Sequence, residues 1–137
     1  MKKMNKKGFT LIEMLAVIAI IAVLVAIIVP AVGSSTTKAK ASTDAANLRS
    51  ALSSATIQYA NTGSVTAADI NVPAAKSTTA NSVVIALDGD NLVAYYVNST
   101  SYYTVHDFAT VATNGGTVSA TGTAPDASDV LATINCG

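Results

Sequence analysis

The chain has 137 residues, of which half are apolar and only 12% are charged, so it has room for one domain and a terminal segment. The formal net charge is zero, but half of the eight basic residues fall within the first eight positions, which leaves four basic residues against eight acidic ones in the remainder. This acidic remainder argues against a specific nucleic-acid site, and a single cysteine excludes an intrachain disulfide.

The first predicted element is a long apolar helix. The stretch Thr10–Val29 has the length of a membrane-spanning helix, and Met14–Val29 is an uninterrupted apolar run. Four lysines precede it and predict a cytoplasmic amino terminus, with the rest of the chain outside; they are Lys2, Lys3, Lys6 and Lys7. Glu13 is out of place here, because a carboxylate in hydrocarbon is penalised by roughly 2.5–3.5 kcal/mol.

Two ordinary interpretations of this segment explain less than the whole of it. A secretory signal peptide with a small-residue cleavage site at Ala31–Gly33 would need an apolar core of only about 7–15 residues. The observed core is longer, and Glu13 interrupts its start. A plain single-pass anchor leaves both Glu13 and the dipeptide Gly8-Phe9 unexplained.

The stretch Lys6–Glu13 resembles the class III leader junction of type IV pilins and the related pseudopilins. The resemblance is closest over Lys6–Pro30 and rests on general architecture beyond that point. In this family a prepilin peptidase cuts after the glycine and N-methylates the new terminal residue. The resemblance therefore implies cleavage between Gly8 and Phe9, and a methylated amine on Phe9.

The same resemblance suggests a role for Glu13, which stands at the position of the family's glutamate. A cationic amine on Phe9 of one chain can meet the Glu13 carboxylate of a neighbouring chain. Two charges that are each costly in an apolar bundle neutralise one another only in the correct axial register, so the pair would register the subunits. The alternative is a glutamate that is merely tolerated near the membrane interface.

A second helical segment is predicted after the apolar one. Pro30 should interrupt or bend the helix, and Gly33 adds a second weak point. Apolar residues then recur three or four positions apart and predict one buried stripe; they are Ala41, Ala45, Leu48, Leu52, Ala55 and Tyr59. The sequence Asn61–Gly63 is expected to stop the helix.

The remaining residues predict a small β-rich head. Residues 63–80 are expected to form a loop with a short helical turn near Ala67–Asp69. Three β-like runs follow: Ser82–Leu87, Leu92–Val97 and Tyr102–Asp107. After a predicted turn at Gly115-Gly116, a fourth strand is possible at Thr117–Ala120 and an edge strand at Val130–Ile134. The predicted fold class is α+β, with a long amino-terminal helix packed on an antiparallel meander of three to four strands.

These elements divide the chain into four expected parts. They are a leader at residues 1–8, an apolar transmembrane or filament-core helix at 9–32, an amphipathic continuation at 33–60 and a globular head at 61–137.

No motif in the head predicts chemistry. His106 and Asp107 would point to opposite faces of a strand, and no nucleophile accompanies them. Asp88–Asn91 is interpreted as a hairpin turn in preference to a calcium loop, and Asn98–Thr100 is a weak glycosylation sequon. Cys136 is expected as a free thiol at an exposed terminus. We therefore expect no catalytic residue, no metal and no cofactor.

The sequence favours a structural function. The leading interpretation is a type IV pilus subunit that serves adhesion, motility, aggregation or DNA uptake; the alternative is a pseudopilin of a type II secretion or competence machine. A membrane-anchored enzyme or binding protein is a third class, for which the sequence offers no site. The resemblance implies the following partners: copies of the same chain in a helical filament, the prepilin peptidase, the pilus assembly platform and motor, and the cytoplasmic membrane before assembly. The expected final location is a pilus on the cell surface.

Overall fold

The computed structural model describes residues 8–112 and 118–136 of the chain. By their contacts, the residues fall into two compact units, and the chain passes from one to the other after Ser34. Helix α1 covers Leu11–Thr62, and a short helix α2 covers Val105–Ala109. The strands are β1 (Ser82–Asp88), β2 (Asn91–Asn98), β3 (Ser101–Tyr103) and β4 (Val130–Asn135), and single 3₁₀ turns lie at Ala67–Asp69 and Thr110–Ala112.

Helix α1 ends where the sequence predicts. Gly63 has a positive φ of 71°, and its N–H donates to the carbonyl of Tyr59 at 2.8 Å. A glycine adopts this left-handed conformation at little cost, and the bond satisfies one of the last carbonyls of the helix.

The helix also continues through Pro30 and Gly33, where an interruption was expected. Proline removes one N–H donor, but the turns on either side keep theirs, so one missing bond does not end a helix of 52 residues. The Ser34 hydroxyl donates to the carbonyl of Ala31 at 3.1 Å just after this point. The predicted interruption is therefore absent from the assigned helix, and a bend here stays a prediction.

The buried face of α1 overlaps the predicted stripe but is rotated from it. The buried residues are Ala41, Asp44, Ala45, Leu48, Ala51 and Ala55. Leu52 and Tyr59 are only half-buried, because the face turns toward Asp44 and Ala51. Most of its members are alanines.

The four strands form one antiparallel sheet in the order β3-β2-β1-β4. Turns of two residues join β1 to β2 and β2 to β3, so the predicted meander is confirmed, and β4 returns to pair with β1 as the predicted edge strand. With helix α1 against one face, the fold class is α+β as predicted.

Two strand predictions need correction. The run Tyr102–Asp107 is a strand only as far as Tyr103, because a helix cap at Thr104 starts α2. Residues 118–120 of the candidate strand Thr117–Ala120 have no regular structure. Thr117 and the predicted turn at Gly115-Gly116 lie outside the described residues.

Both faces of the sheet are covered. The larger cluster joins the buried face of α1 to Val83, Ile85 and Tyr96, and it includes Phe108 of α2. A smaller cluster on the other face contains four buried residues: Val84, Ala86, Tyr95 and Val97.

The segment after residue 118 is held close to the sheet at Gly122. The N–H of Gly122 donates to the carbonyl of Tyr102 at 3.0 Å, and a Cβ at position 122 would lie 2.8 Å from that oxygen. Only glycine permits this approach.

Candidate functional site

The predicted processing junction lies directly before α1. Gly8, Phe9 and Thr10 have no regular secondary structure, and the helix begins at Leu11. The Phe9 side chain is 81% exposed, and a Cβ built on Gly8 would meet no atom within 4 Å. Nothing within the described chain therefore requires glycine at position 8. Residues 1–7 of the predicted leader lie outside the described residues.

Thr10 and Glu13 form a reciprocal cap at the start of α1. Glu13 Oε2 accepts the Thr10 N–H at 2.8 Å and the Thr10 hydroxyl at 2.7 Å. In return, the Glu13 N–H donates to Thr10 Oγ1 at 3.3 Å. This is the capping-box arrangement, in which a threonine at the helix start and an acid three residues later satisfy backbone donors that lack helical partners.

The cap fixes the position of the Glu13 carboxylate. It holds the carboxylate at the amino-terminal end of the helix, where the helix dipole favours negative charge. The sequence-based interpretation of Glu13 as a registering charge did not include this cap, although the pattern Thr-x-x-Glu before an apolar run is a signal for it.

The helix surface beyond this cap is apolar and unburied. All the large hydrophobic residues from Leu11 to Val32 are about half exposed or more. Helix α1 is long and apolar enough to cross a membrane, and its most apolar stretch is not buried within the chain. Exposed apolar patches of this size mark interaction sites, so this surface is suited to contact with lipid or with other apolar helices.

The head contains two buried carboxylates that the sequence analysis did not identify as structural. Asp44 on α1 is fully buried and accepts the N–H groups of Lys76 and Ser77, each at 2.9 Å, together with the Ser77 hydroxyl. A buried charge of this kind is stable only when hydrogen bonds replace its water. Asp44 therefore ties the loop before β1 to helix α1.

Tyr96 of β2 holds the same loop from the sheet side. Its hydroxyl donates to the carbonyl of Pro73 at 2.7 Å, and its ring is fully buried. Burial, with smaller contributions from Cys136 and Asp44, raises the pKa of Tyr96, so the hydroxyl keeps its proton as a donor.

Asp107 is the second buried carboxylate and belongs to a cap. It accepts the Thr104 N–H at 2.6 Å, the Thr104 hydroxyl at 3.1 Å and the Thr121 hydroxyl. His106 is exposed beside it. The two side chains therefore do not form an acid–base pair, and Asp107 instead holds the segment around Thr121 against the start of α2.

The other residues singled out by the sequence have structural surroundings. Asp88–Asn91 forms the tight turn between β1 and β2, with Gly89 at a φ of 61°. The Asn98 Nδ2 of the sequon donates to Thr79 Oγ1 at 2.6 Å.

Cys136 is a free cysteine, as predicted, but it is half-buried and not exposed. Its N–H donates to the carbonyl of Asn81 at 2.9 Å, so this bond and strand β4 hold the carboxyl-terminal segment.

Comparison with known families bears on the amino-terminal segment. Residues 3–29 match the model of the prokaryotic N-terminal methylation motif. The amino-terminal segment is therefore similar to that of prepilin-like proteins. The matched residues include the Gly8–Phe9 junction and Glu13, and the match supports the type IV pilin or pseudopilin class, in which such chains are structural subunits. No curated protein and no solved structure matches the chain significantly.

Proposed function

We propose that this prepilin-like chain is the structural subunit of a type IV pilus, held in the cytoplasmic membrane before assembly and moved into a surface fibre. The observation that carries the proposal is the order of features at the amino terminus. A methylation motif leads directly into a helix whose apolar surface is unburied over Leu11–Val32. Lipid can cover this surface before assembly, and helices of other copies can cover it afterwards.

The processing site in this proposal is the bond between Gly8 and Phe9. The prepilin peptidase hydrolyses this amide and leaves an amine on Phe9, which is then methylated. The exposed position of Phe9 before the first helical turn supports access to this bond. Residues 1–8 are the leader, 9–32 the membrane and fibre-core helix, 33–60 its amphipathic continuation and 61–137 the head.

Glu13 is the registering residue in this proposal. Its Oε2 accepts both Thr10 donors, whereas its Oε1 has no hydrogen-bond partner among the described residues. The Phe9 amine of a neighbouring chain can bind at this second oxygen while the helix cap stays formed. When an amine and a carboxylate are both transferred from water into an apolar bundle, they must pair with one another, because burying either charge alone costs several kcal/mol of free energy.

Electron microscopy with an antibody against residues 80–137 tests the proposal. Long labelled surface fibres are expected, and intact-mass analysis of sheared fibres should give a chain that starts at a methylated Phe9. Label confined to the cell envelope would contradict a pilus subunit and indicate a pseudopilin of a secretion or competence machine. A chain that starts near Ser34 would instead establish a secretory signal peptide.

A further inference from the structure

A groove with cationic ends lies between α1 and the α2 region of the head. It has a volume of about 260 Å³. Its lining residues, here named the cationic groove, are Lys38, Ser42, Ala45 and Arg49 of α1, with Phe108, Ala109 and Val111 opposite.

The helical spacing explains the shape of this groove. Positions 38, 42, 45 and 49 are separated by three or four residues, so they lie on one stripe of α1. At 1.5 Å per residue, Lys38 and Arg49 stand about 16 Å apart along the helix. Ala45, Phe108 and Val111 are buried and form an apolar floor between the two cations.

The two cations of the groove have no ionic partner within the described chain. Neither Lys38 nor Arg49 forms an ion pair with any carboxylate in residues 8–112 and 118–136. Both residues are exposed, so their charges are available to another molecule.

The opposite charge is collected at one end of the sheet. Asp88, Asp126 and Asp129 line a shallow cavity of about 560 Å³ that no basic residue lines. Asp90 lies beside them in the β1–β2 turn. These four aspartates are here named the acidic end.

The acidic end is attached firmly to the sheet. The Leu87 N–H donates to the carbonyl of Asp129 at 2.9 Å, and the Asp129 N–H donates to the carbonyl of Asp126 at 2.9 Å. Its charges are therefore presented on a fixed surface, which lowers the conformational cost of binding.

We propose that the cationic groove of one chain binds the acidic end of a second copy. The two surfaces have opposite charge and consist of different residues, so the contact is heterologous. After each copy is added by such a contact, the assembly still has one unoccupied groove and one unoccupied acidic end. Further copies can therefore be added, and the assembly grows into an open helical filament unless the rotation between copies closes it into a ring. This inference rests on the proposed function and adds a contact between heads to the contact between apolar helices.

A polyanion such as nucleic acid fits the same groove less well. Nucleic-acid binding depends on several phosphates neutralised by lysine and arginine, whereas the groove has only two cations. A second copy brings carboxylates of opposite sign that are held in place on its sheet.

Charge reversal in the full-length chain tests the contact. Arg49→Glu should lower the yield of sheared fibres about fivefold or more, because it replaces an ion pair with a repulsion of similar size. Adding Asp90→Lys and Asp126→Lys to Arg49→Glu should restore much of the yield. Lys40→Glu is the matched control, since it reverses the same charge on the opposite side of the same helix.

Cross-linking gives a second and independent measurement. In a Cys136→Ser background, Arg49→Cys with Asp90→Cys should give a ladder of multimers when fibres are treated with a short bis-maleimide. Each chain would carry one partner of each kind, so links continue from copy to copy. Arg49→Cys with Asp69→Cys is the control and should give no ladder.

The outcomes separate the two proposals. Fibres that form normally with Arg49→Glu and give no ladder would overturn the head contact and leave the pilus function intact. Loss of DNA or anionic glycan binding by Arg49→Glu fibres of normal yield would assign the groove to that ligand and also overturn the contact. An unsubstituted chain that forms no fibres would overturn the proposed function and this inference with it.

Discussion

Replacing Asp44 with alanine should strongly destabilise the head. The carboxylate is fully buried and accepts two backbone N–H groups and one hydroxyl from Lys76 and Ser77. Asp44→Ala leaves these donors without an acceptor. Each unsatisfied donor costs about 1–3 kcal/mol, and the loop can recover part of this by moving toward water. We expect the free energy of unfolding to fall by about 2–4 kcal/mol.

The assay is urea unfolding of a fragment covering residues 34–137, followed by circular dichroism. This fragment is expected to fold alone as a soluble monomer, because every buried core residue in the described part of the chain lies after residue 34. For a domain of this size, the loss corresponds to a melting temperature lower by about 10–25 °C. Hydrogen exchange at the Lys76 and Ser77 amides should accelerate as well, since these N–H groups lose their acceptor.

Two further variants make the test specific. Asp44→Asn keeps one acceptor oxygen but turns an NH₂ group toward the loop donors, so it should lose an intermediate amount of stability. Asp69→Ala removes an exposed carboxylate and should change stability by less than about 0.5 kcal/mol. If Asp44→Ala and Asp69→Ala unfold at the same urea concentration, the loop is held by other contacts and the reasoning is wrong.

Three other changes test the core, the registering residue and the thiol. Leu48→Ala should lower the free energy of unfolding by about 2–5 kcal/mol in the same assay, and Leu52→Ala should lower it clearly less because Leu52 is only half-buried. Equal losses would contradict the observed buried face of α1. An immunoblot should show that Glu13→Ala is still cleaved after Gly8, but this variant should give few sheared fibres, and Glu13→Asp should be intermediate or worse. Normal fibres from Glu13→Ala would show that the charge of Glu13 is merely tolerated. Burial raises the pKa of the Cys136 thiol above its value in the unfolded chain. The stability that the buried thiol contributes is therefore fully present below about pH 8.5, and it is lost as the pH rises toward the pKa of the thiol in the folded protein. Cys136→Ala should flatten this pH dependence of urea unfolding, and an identical slope would assign it to other groups.

The parts of the fold that depend on local patterns were predictable from sequence. The apolar run and the stop at Gly63 are both local, and so are the turns that separate the first strands. The stripe was predicted with a small rotation error, because spacing alone does not show that a polar residue such as Asp44 belongs to the buried face. Its partners lie on a loop more than thirty residues further along the chain.

The error at Tyr102–Asp107 has a different cause. Tyrosine, threonine and valine favour strands, and their run concealed the competing pattern Thr-x-x-Asp that starts α2. Without α2, the opposite wall of the cationic groove could not be predicted. At the amino terminus the motif predicted a junction at Gly8 and Phe9, which stays a prediction, and the link between Thr10 and Glu13 emerged only from the side-chain positions.

The place of β4 in the sheet has a consequence for the timing of synthesis. β1 is a central strand with two neighbours. β2 follows it at once in the chain, whereas β4 follows only after β3, α2 and residues 110–129. A chain still being made can form the β1–β2 hairpin, but one side of β1 lacks its partner until the residues up to Asn135 have been added. During that interval an unpaired edge next to Val83 and Ile85 is open to pairing with another nascent chain. Helix α1 is made first, so its apolar surface is already present while β1 still lacks this partner.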